Sequence, residues 1–353
     1  MRLPSERTPV SRDDRAVGAG WVDRSTAVKT VAGFAVALLL VYLLGVVVGW
    51  ERTIDRLRAA ETTWILAGGL SSLACLIVWG KTWHVVLRTI GIDVPYRRLV
   101  VTFLSATFAN YVTPMGQAGG EPFIAYVLAR DTAATYEQSL ASVVTSDLIR
   151  LLPFFTVGGV GLGYLLATTA RLPGAVRPLA VVLMALAVGL PIVAAVIWRF
   201  RGRVREGVLT AVAPVARRTD RVSTDSVRGR IDRLYGSIEL IAGSPRALVV
   251  AVGYGYAGWI LFALPLYFAG LSIGTPIPLL LVCFLVPVSV IAGSTPLPGG
   301  LAAIEGTLVA LLTALTALAT ADALAVTTIY RLVSYWLVVA VGGVATLWVI
   351  RRN

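Results

Sequence analysis

Long apolar runs and short polar connections alternate along the whole chain. An α-helix of about 20 residues, rising 1.5 Å per residue, crosses a hydrocarbon core roughly 30 Å thick, so each long run predicts a transmembrane helix. Six segments are long enough to span: about 31 to 50, 63 to 87, 139 to 168, 178 to 198, 247 to 270 and 323 to 350. Two more are interrupted. Leu99 to Val112 stops after about fourteen residues at Thr113-Pro114-Met115-Gly116-Gln117-Ala118-Gly119-Gly120-Glu121-Pro122, and Phe123 to Leu128 resumes the apolar pattern. Leu279 to Ala292 likewise runs into Ser294-Thr295-Pro296-Leu297-Pro298-Gly299-Gly300, followed by Leu301 to Leu318. Proline lacks a backbone donor and glycine favours non-helical dihedrals, so helices break at both points.

Composition agrees: 57% of residues are hydrophobic and 14% charged, against roughly a quarter charged in ordinary soluble domains. The expectation is an all-α polytopic membrane protein of the cytoplasmic membrane. Residues 1–30 form a polar cytoplasmic tail and 31–350 the transmembrane domain. The first run lacks a small-x-small cleavage signal and is expected to be a retained span. Cys75 and Cys283 both lie within apolar runs, without the partners that a disulfide framework or a metal site needs.

The net charge of +12 raises the question of nucleic acid, but the basic residues fall between spans, where topology explains them better. With the N-terminus inside and both interrupted segments read as re-entrant hairpins, the loop from Arg199 to Arg246 lands inside. Arg88, Arg97, Arg98, Arg351 and Arg352, and hence the C-terminus, lie inside too. If both interrupted segments crossed, that arginine-rich loop would sit outside, against the strongest charge asymmetry in the chain. The 199–246 loop then reads either as amphipathic helix facing anionic headgroups or as a solvated basic loop.

The interrupted regions share a plan: half-helix, Thr-Pro break with paired glycines, apolar return, and a long span containing arginine. From Pro114 to Arg150 is 36 residues and from Pro296 to Arg331 is 35, and the spans continue to Gly158-Gly159 and Gly342-Gly343. The repeats, about 99–168 and 279–350, are expected to be inverted, because the first hairpin starts inside and the second outside. Inverted repeats with discontinuous helices place a binding site near the bilayer midplane. The match is imperfect, since the glycine pairs differ in offset by three residues.

Arg150 and Arg331 lie well inside their spans, where an arginine costs at least about 2.5 to 3.5 kcal/mol unless it meets a partner or water. Two readings stand. The pair could grip an anionic headgroup, since guanidinium offers a planar donor fork and stays charged. It could instead form internal ion pairs that lock helices: Asp147 stands three residues before Arg150, and Glu305 and Glu121 follow the breaks as further partners. The broken segments expose backbone that hydrocarbon cannot satisfy, so they must line a wet cavity or be buried in protein; in the functional reading Thr113, Pro114, Gly119, Gly120, Thr295, Pro296, Gly299 and Gly300 line such a cavity. The glycine pairs at 158 and 342 read as helix-packing positions, Lys81 and His84 as interfacial snorkellers, and Trp50, Trp64, Trp198 and Trp348 as interfacial anchors. No phosphate-cradling glycine loop with its lysine occurs and no polar stretch is long enough for a soluble catalytic domain, so neither enzyme activity nor a cofactor is expected.

Gly119-Gly120-Glu121-Pro122, the Thr295 to Gly300 break with Glu305-Gly306, and Arg331 with Tyr335-Trp336 together resemble the flippase-like transmembrane region of lysylphosphatidylglycerol synthases and its stand-alone members. The likeness covers about residues 30 to 350. It implies a membrane domain that moves lipids with charged headgroups between leaflets, with Tyr335 added to the substrate-binding candidates. The expected partners are a phospholipid or a polyprenyl-phosphate-linked lipid, with a glycosyltransferase or synthase on a separate chain as a further candidate and no nucleic acid. The chain holds no synthase domain, so aminoacyl transfer is not expected of it. Rival readings are a small-solute or ion transporter, a lipid-modifying enzyme using Glu121, Asp147 or Glu305, and a scaffold that recruits a glycosyltransferase.

Overall fold

The computed structural model describes residues 24–113, 124–125, 128–129, 134–169, 172–174, 176–216 and 224–352, and all regular structure among them is helical. Helix α1 (Arg24–Val48) ends where Gly49 adopts φ 103°, and the short amphipathic α2 (Trp50–Arg58) follows. Then come α3 (Thr62–Thr89), α4 (Tyr96–Val112), α5 (Tyr136–Thr168) and α6 (Arg177–Arg199). The basic loop folds into two helices, α7 (Arg201–Ala216) and α8 (Thr224–Ala242), and α9 (Pro245–Ser272) follows. The second interrupted segment is α10 (Leu279–Ala292), a 3₁₀ turn (Pro298–Gly300) and α11 (Ala303–Leu315). Helix α12 (Thr320–Arg331), one π turn (Leu332–Trp336) and α13 (Leu337–Arg352) complete the chain.

Among the described residues, seven helices are long and apolar enough to cross a membrane. Six coincide with the spans expected from the sequence; the seventh, Pro298–Leu315, is the return limb of the second interrupted segment. On α1 and α6 side chains such as Leu39, Val47, Val181, Ile192 and Val193 are exposed. Apolar stripes of that length are tolerable against lipid and not against water. The protein is therefore a multi-pass membrane protein.

The central pair is α3 and α9, which run antiparallel. Glu61 N–H donates to the Ser272 carbonyl at 2.7 Å at one end, and the Ser71 hydroxyl donates to the Leu261 carbonyl at 2.7 Å further along. Gly258 lets the two approach, since a Cβ there would overlap the Trp79 indole. At the other end of this pair lie Arg88 and the arginines of α7 and α8. The latter two helices pair through Arg201–Glu239 at 3.2 Å and Arg205–Asp232 at 2.6 Å. The loop thus satisfies part of its positive charge internally, and Arg233 reaches across to Glu137 of α5 at 3.2 Å.

These contacts locate the ends of the interrupted segments. Tyr96, at the start of α4, donates its hydroxyl to the Ile77 carbonyl at 2.5 Å and lies against Lys81. Glu137, where the chain leaves the first interrupted segment, is tied to Arg233, so both ends lie at the basic end of the bundle. For the second segment, Pro278 before α10 and Leu315 to Leu318 after α11 line one cavity with Thr168 at the far end of α5. Both ends of this segment therefore lie at the opposite end of the bundle.

Helix α5 packs on α10, and α13 packs on α4. Glycine permits each approach: a Cβ on Gly161 would overlap the backbone of Cys283 and Phe284, and one on Gly342 would lie 2.8 Å from the Leu104 carbonyl oxygen. The long span after each interrupted segment thus rests on the first half-helix of the other segment. Of the glycine pairs singled out from the sequence, Gly158 and Gly342 are buried at such contacts, whereas Gly159 faces open space.

Candidate functional site

The second break brings the predicted residues together. Proline at 298 and glycines at 299 and 300 allow a tight turn in which Gly299 has φ 57° and Gly300 φ 63°. Ala302 follows at φ 68°, a conformation that costs a residue with a Cβ about 1 kcal/mol or more and so marks a point of backbone strain. Helix α11 then starts with Glu305 in its first turn, where the helix dipole favours a carboxylate. Arg331 closes the arrangement from α12. Its Nε donates to Glu305 Oε1 at 2.7 Å and its Nη2 to the Gly299 carbonyl at 2.9 Å. The two side chains are only 8% and 6% exposed. Arg331 therefore gains what low-dielectric surroundings demand, a counter-charge and a backbone acceptor.

The π turn that follows Arg331 shifts the register of the helix and sets Tyr335 beneath the guanidinium, 4.4 Å from its ring centroid. The Tyr335 hydroxyl donates to the Tyr111 carbonyl at 3.2 Å, and the two rings stack at 5.4 Å. Tyr111 sits in the last turn of α4, one residue before the helix ends at Val112, so the two interrupted segments meet here. Its phenol lies within electrostatic reach of Arg150 as well as Arg331.

Arg150 stands 14 residues into α5, about 21 Å along the helix from Tyr136, and Arg331 stands 11 residues into the last long span, about 17 Å from Thr320. Arg150 pairs with Asp147 one turn earlier, the local ion pair expected from the spacing. Its guanidinium also lies 5.2 Å from the Trp79 ring and 5.9 Å from the Phe103 ring, while the Trp259 indole donates to its carbonyl at 3.0 Å. This pair is the less buried one, with side chains 18% and 35% exposed.

Among the remaining expected residues, Thr113 is exposed at the end of α4 in extended conformation, and Pro296 is exposed at the second turn. The Thr295 hydroxyl is buried without a partner among the described residues. Pro114, Gly119, Gly120 and Glu121 lie outside the described residues. The sequence did not single out Tyr111, Trp79 or Phe103. Tyr111 just precedes a Thr-Pro break, but its partner is 224 residues away.

A cavity of about 380 Å³ opens onto the ion pair from the side of α1. Glu305 and Arg331 form its polar floor, and Leu38, Val41, Leu301 and Trp336 are among its apolar walls. Leu38, Leu332 and Trp336 at its margin are exposed on the lipid-facing surface. The second carboxylate oxygen of Glu305 has no partner among the described residues. The arrangement can offer a polar contact deep in the bilayer to a molecule whose remainder is apolar.

Comparison with known proteins agrees with this architecture. A UPF0104 membrane protein of Methanothermobacter thermautotrophicus is 26% identical over 294 residues, 82% of this chain and 86% of the relative. A UPF0104 membrane protein of Pyrococcus horikoshii is 23% identical over 327 residues, 90% of this chain and 95% of the relative. The lysylphosphatidylglycerol synthase TM region family matches residues 30–342. With nearly the whole helical bundle inside that match, the chain belongs to the lysylphosphatidylglycerol synthase TM region family.

Proposed function

We propose that this protein is a lipid transporter of the cell membrane that carries lipids with phosphate-bearing headgroups between leaflets, without enzymatic activity of its own. The observation that carries the reading is the buried Arg331, held by Glu305 and the Gly299 carbonyl at the floor of a cavity whose walls are apolar and whose margin faces lipid. A headgroup phosphate entering there competes with Glu305 for the guanidinium fork, while the acyl chains remain against Leu38, Leu332 and Trp336. A small solute would be better served by an enclosed polar cavity. The Tyr111–Tyr335 contact ties α4 to the span that carries Arg331, and in this scheme the headgroup meets the two arginines in turn as that contact opens and closes. The reciprocal packing of the repeats, α5 on α10 and α13 on α4, supports an inverted pair able to rock about α3 and α9.

Reconstitution into liposomes carrying labelled anionic lipids tests the proposal. Transfer between leaflets should be lost in Arg331→Ala and strongly reduced in Arg150→Ala. Unchanged transfer in both variants would remove the arginines from the mechanism.

A further inference from the structure

A second cavity, about 360 Å³, lies at the basic end between α3 and α9. Its polar lining includes Lys81, His84, Arg88 and Tyr254, and Val250 forms its apolar side. Residues 81, 84 and 88 follow the i, i+3, i+7 spacing of one helix face. Among the described residues no carboxylate lines the cavity. The nearest acid identified, Asp93, meets Arg88 Nε only at 3.7 Å, with both side chains more than half exposed. That pair holds Arg88 weakly.

The other two basic side chains are more ordered than snorkelling requires. Tyr96, fixed by its hydrogen bond to Ile77, receives the Lys81 ammonium over its ring at 4.4 Å and the His84 ring edge-on at 5.5 Å. Cationic donors gathered in one recess, with only the exposed Asp93 identified beside them, favour an anion with several acceptor oxygens. An ammonium with three donors, a guanidinium fork and a phenol hydroxyl suit a tetrahedral phosphate. Val250, exposed at the cavity, offers apolar support for the rest of a lipid.

We propose that Lys81, His84 and Arg88 form a peripheral site for a phosphate group, supplied by the headgroup of an anionic lipid, at the basic end of α3. The site stands apart from Arg331 and holds whether or not the protein moves lipid. Basic recesses between transmembrane helices are suited to such headgroups.

The test is thermal unfolding of the detergent-solubilised full-length chain, titrated separately with short-chain phosphatidic acid, inorganic phosphate and short-chain phosphatidylcholine. Phosphatidic acid should raise the unfolding temperature saturably, and phosphatidylcholine should not. Lys81→Gln with Arg88→Gln should raise the half-saturating concentration at least tenfold, whereas Arg203→Gln with Arg228→Gln, which removes equal charge from the basic loop, should leave it unchanged. Arg88→Gln alone, at an exposed position, gives the same comparison if the double variant folds poorly. Stabilisation by inorganic phosphate equal to that by phosphatidic acid, lost in the same variants, supports the anion site and assigns it to the free ion. An unaltered response in Lys81→Gln with Arg88→Gln, or an equal loss in the loop variant, overturns the proposal.

Discussion

The Tyr335 ring lies directly against the backbone of Gly299, so closely that a Cβ on residue 299 would overlap the ring. Gly299 also has φ 57° and supplies the carbonyl that accepts from Arg331. Substitution therefore meets two penalties at once. A left-handed residue with a Cβ costs about 1–2 kcal/mol and overpacking about 1–3 kcal/mol. Gly299→Ala should lower the unfolding temperature by several degrees and suppress lipid transfer, while Gly306→Ala, whose Cβ faces open space, should be neutral or slightly stabilising. Equal stability of the two variants would show that Tyr335 does not rest on that turn.

The Glu305–Arg331 pair separates structure from function. Removing one partner of a buried ion pair costs about 3–5 kcal/mol, because the remaining charge is stranded, whereas replacing both by apolar residues of similar size is often neutral. Glu305→Gln and Arg331→Met should each destabilise the protein strongly, and Glu305→Leu with Arg331→Met should recover much of that loss. Lipid transfer should stay absent in the double variant, since the cavity floor no longer offers a guanidinium to a headgroup and Arg150 alone cannot complete the route. Asp147→Asn, which takes the counter-charge from an arginine placed mid-span, should destabilise the protein measurably, though less than breaking the more deeply buried Glu305–Arg331 pair. A double variant that transfers lipid normally would reduce the pair to a structural lock.

Much of this was legible in the sequence, and the reason is physical. Hydrocarbon forces every span into about 20 apolar residues and makes each exception costly, so the spans, both breaks and Arg150 and Arg331 stand out in the one-dimensional pattern. Glu305 could be named, beside Glu121, as a candidate partner because each follows a glycine-proline break, and the structure pairs Glu305 with Arg331. Tyr111 could not be placed, since its role is set by stacking on Tyr335 and an aromatic in an apolar run carries no mark of its partner. Lys81 and His84 read as snorkellers because the recess that gathers them is formed with α9, remote in sequence. The internal pairing of α7 with α8 likewise depends on register between two helices, which charge counting does not supply.

The glycines at the crossings between repeats give a third prediction. At Gly161 the obstacle to a Cβ is the main chain of α10, which cannot swing aside as a side chain does. Gly161→Val should therefore destabilise by about 1–3 kcal/mol or force α5 and α10 apart. Gly342→Val, against the Leu104 carbonyl and Phe108 on α4, should have a comparable effect. Gly159→Ala, with open space before it, should be tolerated. If lipid transfer depends on one repeat rocking against the other, either valine should impair transfer more than stability alone explains, measured at temperatures where the variants remain folded.

The placement of the two interrupted segments predicts opposite accessibility. Tyr96 and Glu137 share the basic end with Arg88 and Arg233, whereas Pro278 and Leu318 share the other end with Thr168. The positive-inside rule predicts that the basic end faces the cytoplasm. In a background where Cys75 and Cys283 are replaced by serine, single cysteines at Arg97 and Arg228 should react with a membrane-impermeant maleimide only after the membrane is opened. One at Ala317, exposed in the connection after α11, should react in intact cells. The two breaks would then be entered from opposite faces, as an inverted pair requires. Labelling of Arg97→Cys and Ala317→Cys from the same face would mean that one interrupted segment crosses the bilayer, and the route past Arg150 and Arg331 would lose its symmetry.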